Sequence, residues 1–306
     1  MNMNISSCVG FQLALLPTVY GVELCVALAG NALALWLLVS RERRDWHPGA
    51  VLSCNLAVSD LLYVLTLPLL IVYYALEKHW TFGNPLCKIE RFLFACNLYV
   101  SILFITGISV HRGVALAYPF FSRHYVSTSR AKAACAVAWL AVAAVCAPVL
   151  GFASTCEEVR GNSTKTQCVA YCAGTSALGD QRAHFLYVVL LGVLGCLVPF
   201  LVTFASYCVV VWVVWKNANI SQLEKRKIAL MVGSVVVLYA LSFVPYHVFQ
   251  SYNLYLKLHG MFVCWVYDAY QVSKVLAALN MCLHPLLYMA LFDSIRVVFC
   301  GKGPET

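Results

Sequence analysis

Charge is scarce in this sequence. Only 11% of the 306 residues are charged, whereas 62% are hydrophobic, and the mean hydropathy is +0.79. Soluble globular chains carry about 25% charged and roughly 45–50% apolar residues. So few charges cannot cover so much apolar surface in water. The composition therefore excludes a soluble globular protein and indicates that lipid is the solvent.

Enzyme motifs are missing as well. The chain has no nucleophile elbow, no phosphate-binding P-loop, no HExxH motif and no paired cysteines at metal-site spacing. We therefore predict no catalytic activity, no cofactor and no metal site. A membrane transporter is the alternative from another class, but its two halves commonly repeat each other. No such repeat is visible here, and seven spans are an awkward number for duplication.

Long hydrophobic runs are abundant instead. About 20 helical residues cross the roughly 30 Å of bilayer hydrocarbon. The sequence predicts an all-α integral membrane protein: a seven-transmembrane helix bundle (17–290) after an extracellular N-terminus (1–16). A short cytoplasmic amphipathic helix and tail (291–306) follow, with the helix over 293–299. The seven predicted spans are 17–40, 48–76, 88–117, 132–152, 185–215, 228–250 and 264–290.

Basic residues predict the orientation. Of the 21 Lys and Arg residues, 13 lie on the side that holds loops 41–47, 118–131, 216–227 and the tail. The richer side is cytoplasmic by the positive-inside rule, so the N-terminus is extracellular in a multi-pass plasma-membrane protein. The net charge of +8 follows from this topology and gives no reason to expect nucleic-acid binding. The start of the chain shows no basic leader, so we expect the first helix to act as an uncleaved anchor.

Two glycosylation sequons lie on the predicted outer side, at Asn4 and Asn162. A third, at Asn219, lies on the inner side, and we predict that it is not glycosylated.

Polar or kinking residues recur within the predicted helices. The stretch "FITGISVHRGVALAYP" (104–119) places Arg112 near the inner end of the third span. A charge at the bilayer centre costs at least about 2.5 kcal/mol, so such residues are rare and usually functional. A snorkelling arginine at a helix end is the alternative interpretation. The other spans carry Asn31, Asp60, Ser101, Trp139, Pro199, Pro245, Asn280, His284 and Pro285.

The order and spacing of these residues resemble the rhodopsin-like (class A) G-protein-coupled receptors across essentially the whole chain. The motifs are "GN" (30–31), "NLAVSD" (55–60), Cys87 with Arg112 25 residues later, Trp139, Pro199, "FVPYH" (243–247) and "NMCLHPLLY" (280–288). The resemblance implies that Arg112 contacts a heterotrimeric G protein once the sixth helix swings outward. It implies a G-protein coupling set of His111, Arg112, Pro119, Phe120, Lys225 and Arg226. It also implies an activation switch of Asp60, Ser101, Phe243, Pro245, Asn280, His284, Pro285 and Tyr288.

Two departures from the family pattern bear on mechanism. The usual Asp-Arg-Tyr is replaced by His111-Arg112-Gly113, so a neutral His111 cannot hold Arg112 by charge, and Gly113 adds flexibility within the helix. In the family, the residues that match Asp60, Ser101, Asn280 and His284 surround a sodium ion. His284 replaces an Asn or Asp, which argues against sodium binding. A carboxylate at Asp60 that is hydrogen-bonded to Asn31 and Asn280 is the alternative that needs no ion.

Local sequence narrows the resemblance to the metabotropic purinoceptors, which are receptors for extracellular nucleotides. It is carried by "CKIERFLFACNLYVSILFITGISVHR" (87–112), "FVPYHVF" (243–249) and "YQVSKVLAALNMCLHPLLYMA" (270–290). The resemblance implies a receptor for ATP or a related nucleotide that raises calcium, cyclic AMP or both. A receptor for another small anion, such as a dicarboxylate, is the alternative, because a cationic rim suits carboxylate as well as phosphate.

A polyphosphate needs cations near the outer helix ends. Arg91, His247 and Lys274 match phosphate or ligand positions of the purinoceptor pattern. Gln250 stands where the family has Arg or Lys, and Lys274 stands where it usually has Arg, which weakens phosphate binding. Alternatively, Arg91 pairs with Glu90 or Glu77 and His247 is a structural histidine, whereas Lys274 has no evident partner. Aromatic or amide side chains that could line the cavity are Tyr99, Tyr246, Tyr270 and Gln271.

Cysteine pairings and a lipidation site also come from the resemblance. The family bridges the cysteine that matches Cys87 to one in the second outer loop, where both Cys168 and Cys172 are available. Counting back from Pro199 favours Cys172 and leaves Cys156 with Cys168. A second purinoceptor bridge matches Cys8 and Cys264. Cys300, after the amphipathic helix, is a candidate palmitoylation site.

Overall fold

A computed structural model describes residues 3–41, 46–160, 163–172 and 174–291. These residues form eleven α-helices, one π-helical segment and one two-stranded sheet. The helices are α1 (Met3–Arg41), α2 (Pro48–Val64), α3 (Leu67–Ala75), α4 (Gly83–Ala117), α5 (Pro119–Tyr125), α6 (Thr128–Cys146), α7 (Pro148–Phe152), α8 (Gln181–Leu190), α9 (Val198–Lys216), α10 (Gln222–Leu258) and α11 (Cys264–Leu291). The π-helical segment is Leu191–Leu197, and the strands are β1 (Ser154–Arg160) and β2 (Ser163–Val169).

The helices form a membrane bundle. Six spans are long and apolar enough to cross a bilayer: Gln12–Ser40, Pro48–Ala75, Gly83–Ala117, Thr128–Phe152, Gln181–Lys216 and Gln222–Leu258. With 28 residues, α11 is the seventh helix of sufficient length. The seven-helix prediction is therefore confirmed. The first helix starts earlier than predicted, because α1 begins at Met3 and includes most of the predicted N-terminal segment.

Side-chain caps set several helix starts at the cytoplasmic face. The hydroxyl of Ser221 accepts from the backbone N–H of Glu224, whose carboxylate accepts from the N–H of Ser221, so a capping box begins α10. Ser127 caps α6 in the same way, through the N–H of Arg130. These polar N-caps lie outside the apolar stretches and fix where each helix begins.

The fifth span changes its winding midway. Between α8 and α9 the π-helical segment widens the turn just before Pro199, at the first turn of α9. Such segments are short and frequently occur at functional sites. A Cβ atom at Gly195 would lie 2.7 Å from Tyr99 Cε1 of α4, so glycine allows this close approach. This segment was not predicted from the sequence.

The second outer loop forms a β-hairpin that the prediction missed. Strands β1 and β2 pair antiparallel, with Thr155 opposite Cys168 and Cys156 opposite Gln167. Opposed residues point to the same face and neighbours to opposite faces, so Cys156 and Cys168 point to opposite faces of the hairpin.

The predicted pairing of these loop cysteines is wrong. Cys87 bridges Cys168, and Cys156 bridges Cys172, which lies beyond the end of β2. The residue count from Pro199 misled the prediction, because it ignored the direction in which each strand residue points.

Some predicted features fall outside the described residues. They are the sugar site Asn162, the amphipathic helix over 293–299 and the lipid site Cys300, together with the side chains of Asn4 and Cys8. Cys264 is disulfide-bonded, whereas its predicted bridge to Cys8 stays a prediction.

Candidate functional site

Two adjoining cavities open at the extracellular end of the bundle. The deeper cavity encloses about 600 Å³ and the outer one about 850 Å³. Tyr99 lines the deeper cavity, and Gln271 lines the outer one. The wall that they share consists of Arg91, Ala170, His184, Gln250, Tyr270 and Lys274. Four predicted ligand residues from three helices therefore meet on one wall.

Arg91 is held by the hairpin and by its own helix. Its Nη2 donates to the backbone carbonyl of Cys168 at 2.9 Å, and its Nε lies 3.3 Å from Glu90 Oε2. The predicted alternative of a Glu90 pair is thus realised, whereas Glu77 pairs with Lys165 at 2.5 Å. Since Cys168 is tied to Cys87 one turn before Arg91, the disulfide fixes the depth of the guanidinium group.

Lys274 has a partner that was not evident from the sequence. Its Nζ donates to the hydroxyl of Tyr74 at 3.3 Å and lies 5.8 Å from the centre of that ring. Tyr74 in turn stacks on Tyr20 of α1 at 5.7 Å. The ammonium group is therefore buried among aromatic rings on the shared wall.

His247 lies behind the wall. One ring nitrogen, Nδ1, donates to the carbonyl of Phe243 at 3.1 Å, and Nε2 lies 3.1 Å from the hydroxyl of Tyr99. A carbonyl only accepts, so in a neutral ring Nε2 is the acceptor for the Tyr99 proton. His247 is absent from the described lining of both outer cavities. This arrangement matches the alternative of a structural histidine. Of the two hydrogen-bonded residues, Tyr99 lines the deeper cavity and His247 does not.

The two cavities differ in chemistry. The deeper one is largely aromatic, and its rings include Phe94, Phe152, His184, Tyr187 and Tyr246. The outer one has four cationic residues and no Asp or Glu among its described lining residues. Its cations are Lys78, Arg91, Lys257 and Lys274.

Three lining residues, Lys78, Lys257 and His184, were not predicted from the sequence. Only the basic character of "KHW" (78–80) and of Lys257 in "NLYLKLH" (253–259) could have indicated two of them.

A polar network lies below, in the middle of the membrane. Asp60 Oδ1 accepts from Asn97 Nδ2 at 3.0 Å, and Oδ2 accepts from His284 Nδ1 at 2.6 Å. Sodium is a hard cation that needs oxygen lone pairs. Each carboxylate oxygen already accepts one N–H, and His284 places a nitrogen donor beside Oδ2 where the ion would need an oxygen ligand, so these residues do not fit the family's sodium ion. The predicted hydrogen bonds of Asp60 to Asn31 and Asn280 are wrong, and Asn97 was missed.

Asn31 serves helix packing instead. Its Nδ2 donates to the carbonyls of Ala27 and, across the bundle, Met281. Its neighbour Gly30 contacts the kink proline of α11, because a Cβ atom at Gly30 would lie 2.8 Å from Pro285 Cγ. The "GN" motif therefore joins α1 to α11.

Other switch residues lie near this network. Phe243 is buried, with its ring centre 5.0 Å from that of Tyr239, and Pro245 lies one turn before Phe249 within α10. Ser101 Oγ, Asn280 Nδ2 and Tyr288 Oη are buried without a hydrogen-bond partner in the described part of the chain. Their role as an activation switch stays a prediction.

The cytoplasmic end holds a third cavity of about 850 Å³. His47, His111, Arg112 and Met231 contribute to its lining. Arg112 Nη1 lies 3.6 Å from Met231 Sδ of α10, and no carboxylate of the described residues forms an ion pair with it. Met231 lies on the helix that the resemblance expects to move.

Gly113 has a packing role. A Cβ atom there would lie 3.3 Å from the backbone oxygen of Ser206 in α9, which is a tight approach. The helix α4 continues unbroken through Gly113 to Ala117, and the flexibility expected of Gly113 stays a prediction.

The remaining coupling residues differ in accessibility. Phe120, directly after Pro119 at the start of α5, is 91% exposed, and Arg226 is exposed as well. Lys225 is buried instead, and its Nζ donates to the carbonyl of Trp215 at 3.0 Å. Phe120 and Arg226 are accessible to a cytoplasmic partner, whereas Lys225 ties α10 to α9.

A seven-helix membrane bundle with a polar outer cavity and an arginine-lined inner cavity defines a transmembrane receptor. Comparison with known proteins agrees. The model of the 7 transmembrane receptor (rhodopsin family) matches residues 30–288. Purinoceptor 11 from Homo sapiens, a metabotropic purinoceptor, is 37% identical over 305 residues, which cover 94% of this chain and 81% of that protein.

Two further relatives give the same result. Metabotropic purinoceptor 1 from Gallus gallus is 37% identical over 294 residues (94% and 79% coverage), and its counterpart from Homo sapiens is 35% identical (94% and 76%). The chain therefore belongs to the rhodopsin-family seven-transmembrane receptors and, within them, to the metabotropic purinoceptors. It is a multi-pass plasma-membrane receptor with an extracellular N-terminus, and its family consists of receptors and not of enzymes.

Proposed function

We propose that this receptor is activated by an extracellular nucleotide, ATP or a close relative, and signals through a heterotrimeric G protein. The observation that carries the proposal is the wall shared by the deeper and the outer cavity. Arg91 and Lys274 lie there with Gln250 and Tyr270 between an aromatic cavity and a cationic one. A nucleotide has the same division, with a flat base at one end and negative phosphates at the other.

The charges on the wall favour an anionic ligand. Lys274 is buried against Tyr74, and Arg91 retains donors beyond its bonds to Cys168 and Glu90, since a guanidinium group has five N–H bonds. Charge-assisted hydrogen bonds to phosphate contribute roughly 1.5–3 kcal/mol each. Two such contacts are enough to make binding depend strongly on phosphate.

The aromatic cavity favours a nucleotide over a simple dicarboxylate. Phe152 and His184 have ring centres 4.8 Å apart, and Tyr246 lies 6.1 Å from Tyr270 on the shared wall. These rings offer stacking surface to a base. A dicarboxylate would use the cations alone and leave the aromatic cavity without an occupant.

Expression in cells that lack nucleotide receptors tests the proposal. Calcium and cyclic AMP would be recorded across adenine and uracil nucleotides, adenosine and a panel of dicarboxylates. We expect responses to nucleoside di- or triphosphates and none to adenosine. Arg91→Ala and Lys274→Ala should each lower potency by about 10- to 100-fold. Lys88→Ala, on the same side but outside the described cavity lining, is the control. Responses to dicarboxylates alone would contradict the proposal.

A further inference from the structure

A buried lysine stands at the outer rim of the bundle, between α3 and α4. Lys78 is only 3% exposed, and its backbone lies in the left-handed region at φ 65°, directly after Glu77 at φ 53°. Residues other than glycine rarely adopt this conformation, because it is strained, and it persists only where the surroundings hold it. Here Glu77 is fixed by Lys165 of the hairpin, and the N–H of Lys78 donates to the carbonyl of Tyr73 at 2.8 Å.

The left-handed turn at Glu77 and Lys78 places the ammonium group of Lys78 beside α1 and α11. Its Nζ donates to Gln12 Oε1 at 2.5 Å and to the hydroxyl of Tyr267 at 3.2 Å. It also lies 5.3 Å from the centre of the Tyr267 ring. Gln12 is oriented in turn by Asp268, whose carboxylate accepts from Gln12 Nε2 at 3.1 Å. Two helices, α1 and α11, thus contribute partners to this one cation.

A second lysine uses the same ring. Lys257, in the last turn of α10, has its Nζ 5.9 Å from the Tyr267 ring centre and is exposed at the cavity mouth. Both ammonium groups lie against one ring, so an anion that contacts both would be attracted by two positive charges. The buried Lys78 and the exposed Lys257 therefore form a cationic pair around Tyr267.

This pair faces the predicted phosphate site. Lys78, Lys257 and Tyr267 line the same cavity of about 850 Å³ as Arg91 and Lys274. The outer cavity thus has two cationic pairs. Arg91 and Lys274 lie on the wall shared with the aromatic cavity, and Lys78 and Lys257 lie around Tyr267. With the base in the aromatic cavity, a single phosphate would lie at Arg91 and Lys274, and a longer phosphate chain would extend toward Lys78 and Lys257.

We propose that Lys78, Tyr267 and Lys257 form a second phosphate subsite for the terminal phosphates of nucleoside triphosphates or longer polyphosphates. The inference rests on the proposed function, since it places the base in the aromatic cavity and the inner phosphates at Arg91 and Lys274. The subsite makes the receptor selective for the length of the phosphate chain.

The test compares adenosine mono-, di-, tri- and tetraphosphate on the full receptor. Lys257→Ala is the main variant, because Lys257 is exposed and its loss leaves the bundle intact. It should lower tri- and tetraphosphate potency about 10-fold, the effect of one charge-assisted contact. Diphosphate potency should change less than about twofold on the same reasoning, since it makes no contact there. Lys88→Ala should leave all four dose–response curves unchanged.

Two further variants distinguish a loss of phosphate contacts from a loss of folded receptor. Lys78→Ala, compared at matched surface expression, should give the same chain-length-dependent loss as Lys257→Ala. Tyr267→Phe keeps the ring and should give a smaller loss. Equal loss for di-, tri- and tetraphosphate, or no loss in either lysine variant, would overturn the subsite while the receptor still responds to nucleotides. A wild-type receptor inert to every nucleotide would instead overturn the proposed function.

Discussion

Asp60 and His284 form a buried pair that joins the second span to the seventh, with His284 Nδ1 2.6 Å from Asp60 Oδ2. Both side chains are almost fully buried, and Asn97 of α4 donates to the other carboxylate oxygen. Removing one partner of a buried pair commonly costs about 3–5 kcal/mol, because the other is left uncompensated. The histidine thus takes the place beside Asp60 that a cation would need.

This pair predicts a receptor insensitive to sodium. Replacing sodium with choline in the assay buffer should shift agonist potency of the wild type by less than about twofold, because the His284 nitrogen stands beside Asp60 where sodium would need an oxygen ligand. His284→Asn supplies an amide oxygen and frees one carboxylate oxygen, so agonist affinity of this variant should fall as sodium rises. The measurement is agonist competition binding on membranes in both buffers. A sodium effect on the wild type that His284→Asn does not increase would refute this account.

Arg112 predicts a separation of binding from signalling. Arg112→Ala should leave surface expression and ligand affinity within about twofold, because the residue lies on the cytoplasmic cavity, far from the shared wall. G-protein activation should be abolished. Arg123→Ala, an exposed arginine on the same face, is the matched control. Ligand binding and guanine-nucleotide exchange on the G protein would be measured on the same membranes. If Arg112→Ala supports normal exchange on the G protein, Arg112 is only a snorkelling residue.

The observed disulfides predict unequal effects for the two loop cysteines. Cys168→Ser breaks the bridge to Cys87 and loosens the carbonyl that holds Arg91. Loss of a native disulfide typically costs about 2–5 kcal/mol. We expect little surface receptor and no nucleotide response. Cys172→Ser breaks only the bridge within the hairpin region and should retain a response with lower potency.

Peptide mapping under non-reducing conditions provides the direct check on these bridges. A fragment that joins Cys87 to Cys172 would contradict the arrangement.

Composition was sufficient to predict the bundle, since seven apolar stretches long enough to span a bilayer are stable mainly as membrane helices. Arg91, Gln250 and Lys274 could also be assigned to one site from the sequence, because they stand at ligand positions of the purinoceptor pattern, and Tyr270 was expected to line the same cavity. Lys78 and Lys257 could not. Their convergence on Tyr267 depends on a left-handed turn and on the length of α10, neither of which leaves a local sequence pattern. The direction of His247 likewise depends on Tyr99, which is distant in sequence.

The last prediction concerns the two glycines of the π-helical segment, which contact the Tyr99–His247 pair from one side. A Cβ atom at Gly195 would lie 2.7 Å from Tyr99 Cε1, closer than real Cβ atoms approach. A Cβ atom at Gly192 would lie 3.5 Å from His247 Cδ2, an ordinary contact. The same substitution at two positions one turn apart therefore tests whether the placement of Tyr99 matters.

Gly195→Ala should push the Tyr99 ring away from His247 and into the deeper cavity. The displaced ring would occupy cavity space that the base needs, and a cost of about 1–3 kcal/mol borne on binding corresponds to a fall in nucleotide potency of about 10-fold or more. Gly192→Ala should remain within about threefold of the wild type, because it only fills ordinary van der Waals space. Tyr99→Phe serves as a second control: it lacks the hydrogen bond but keeps the ring, so it should lose less than Gly195→Ala. Equal potency of the two alanine variants at matched surface expression would show that the ligand does not depend on Tyr99.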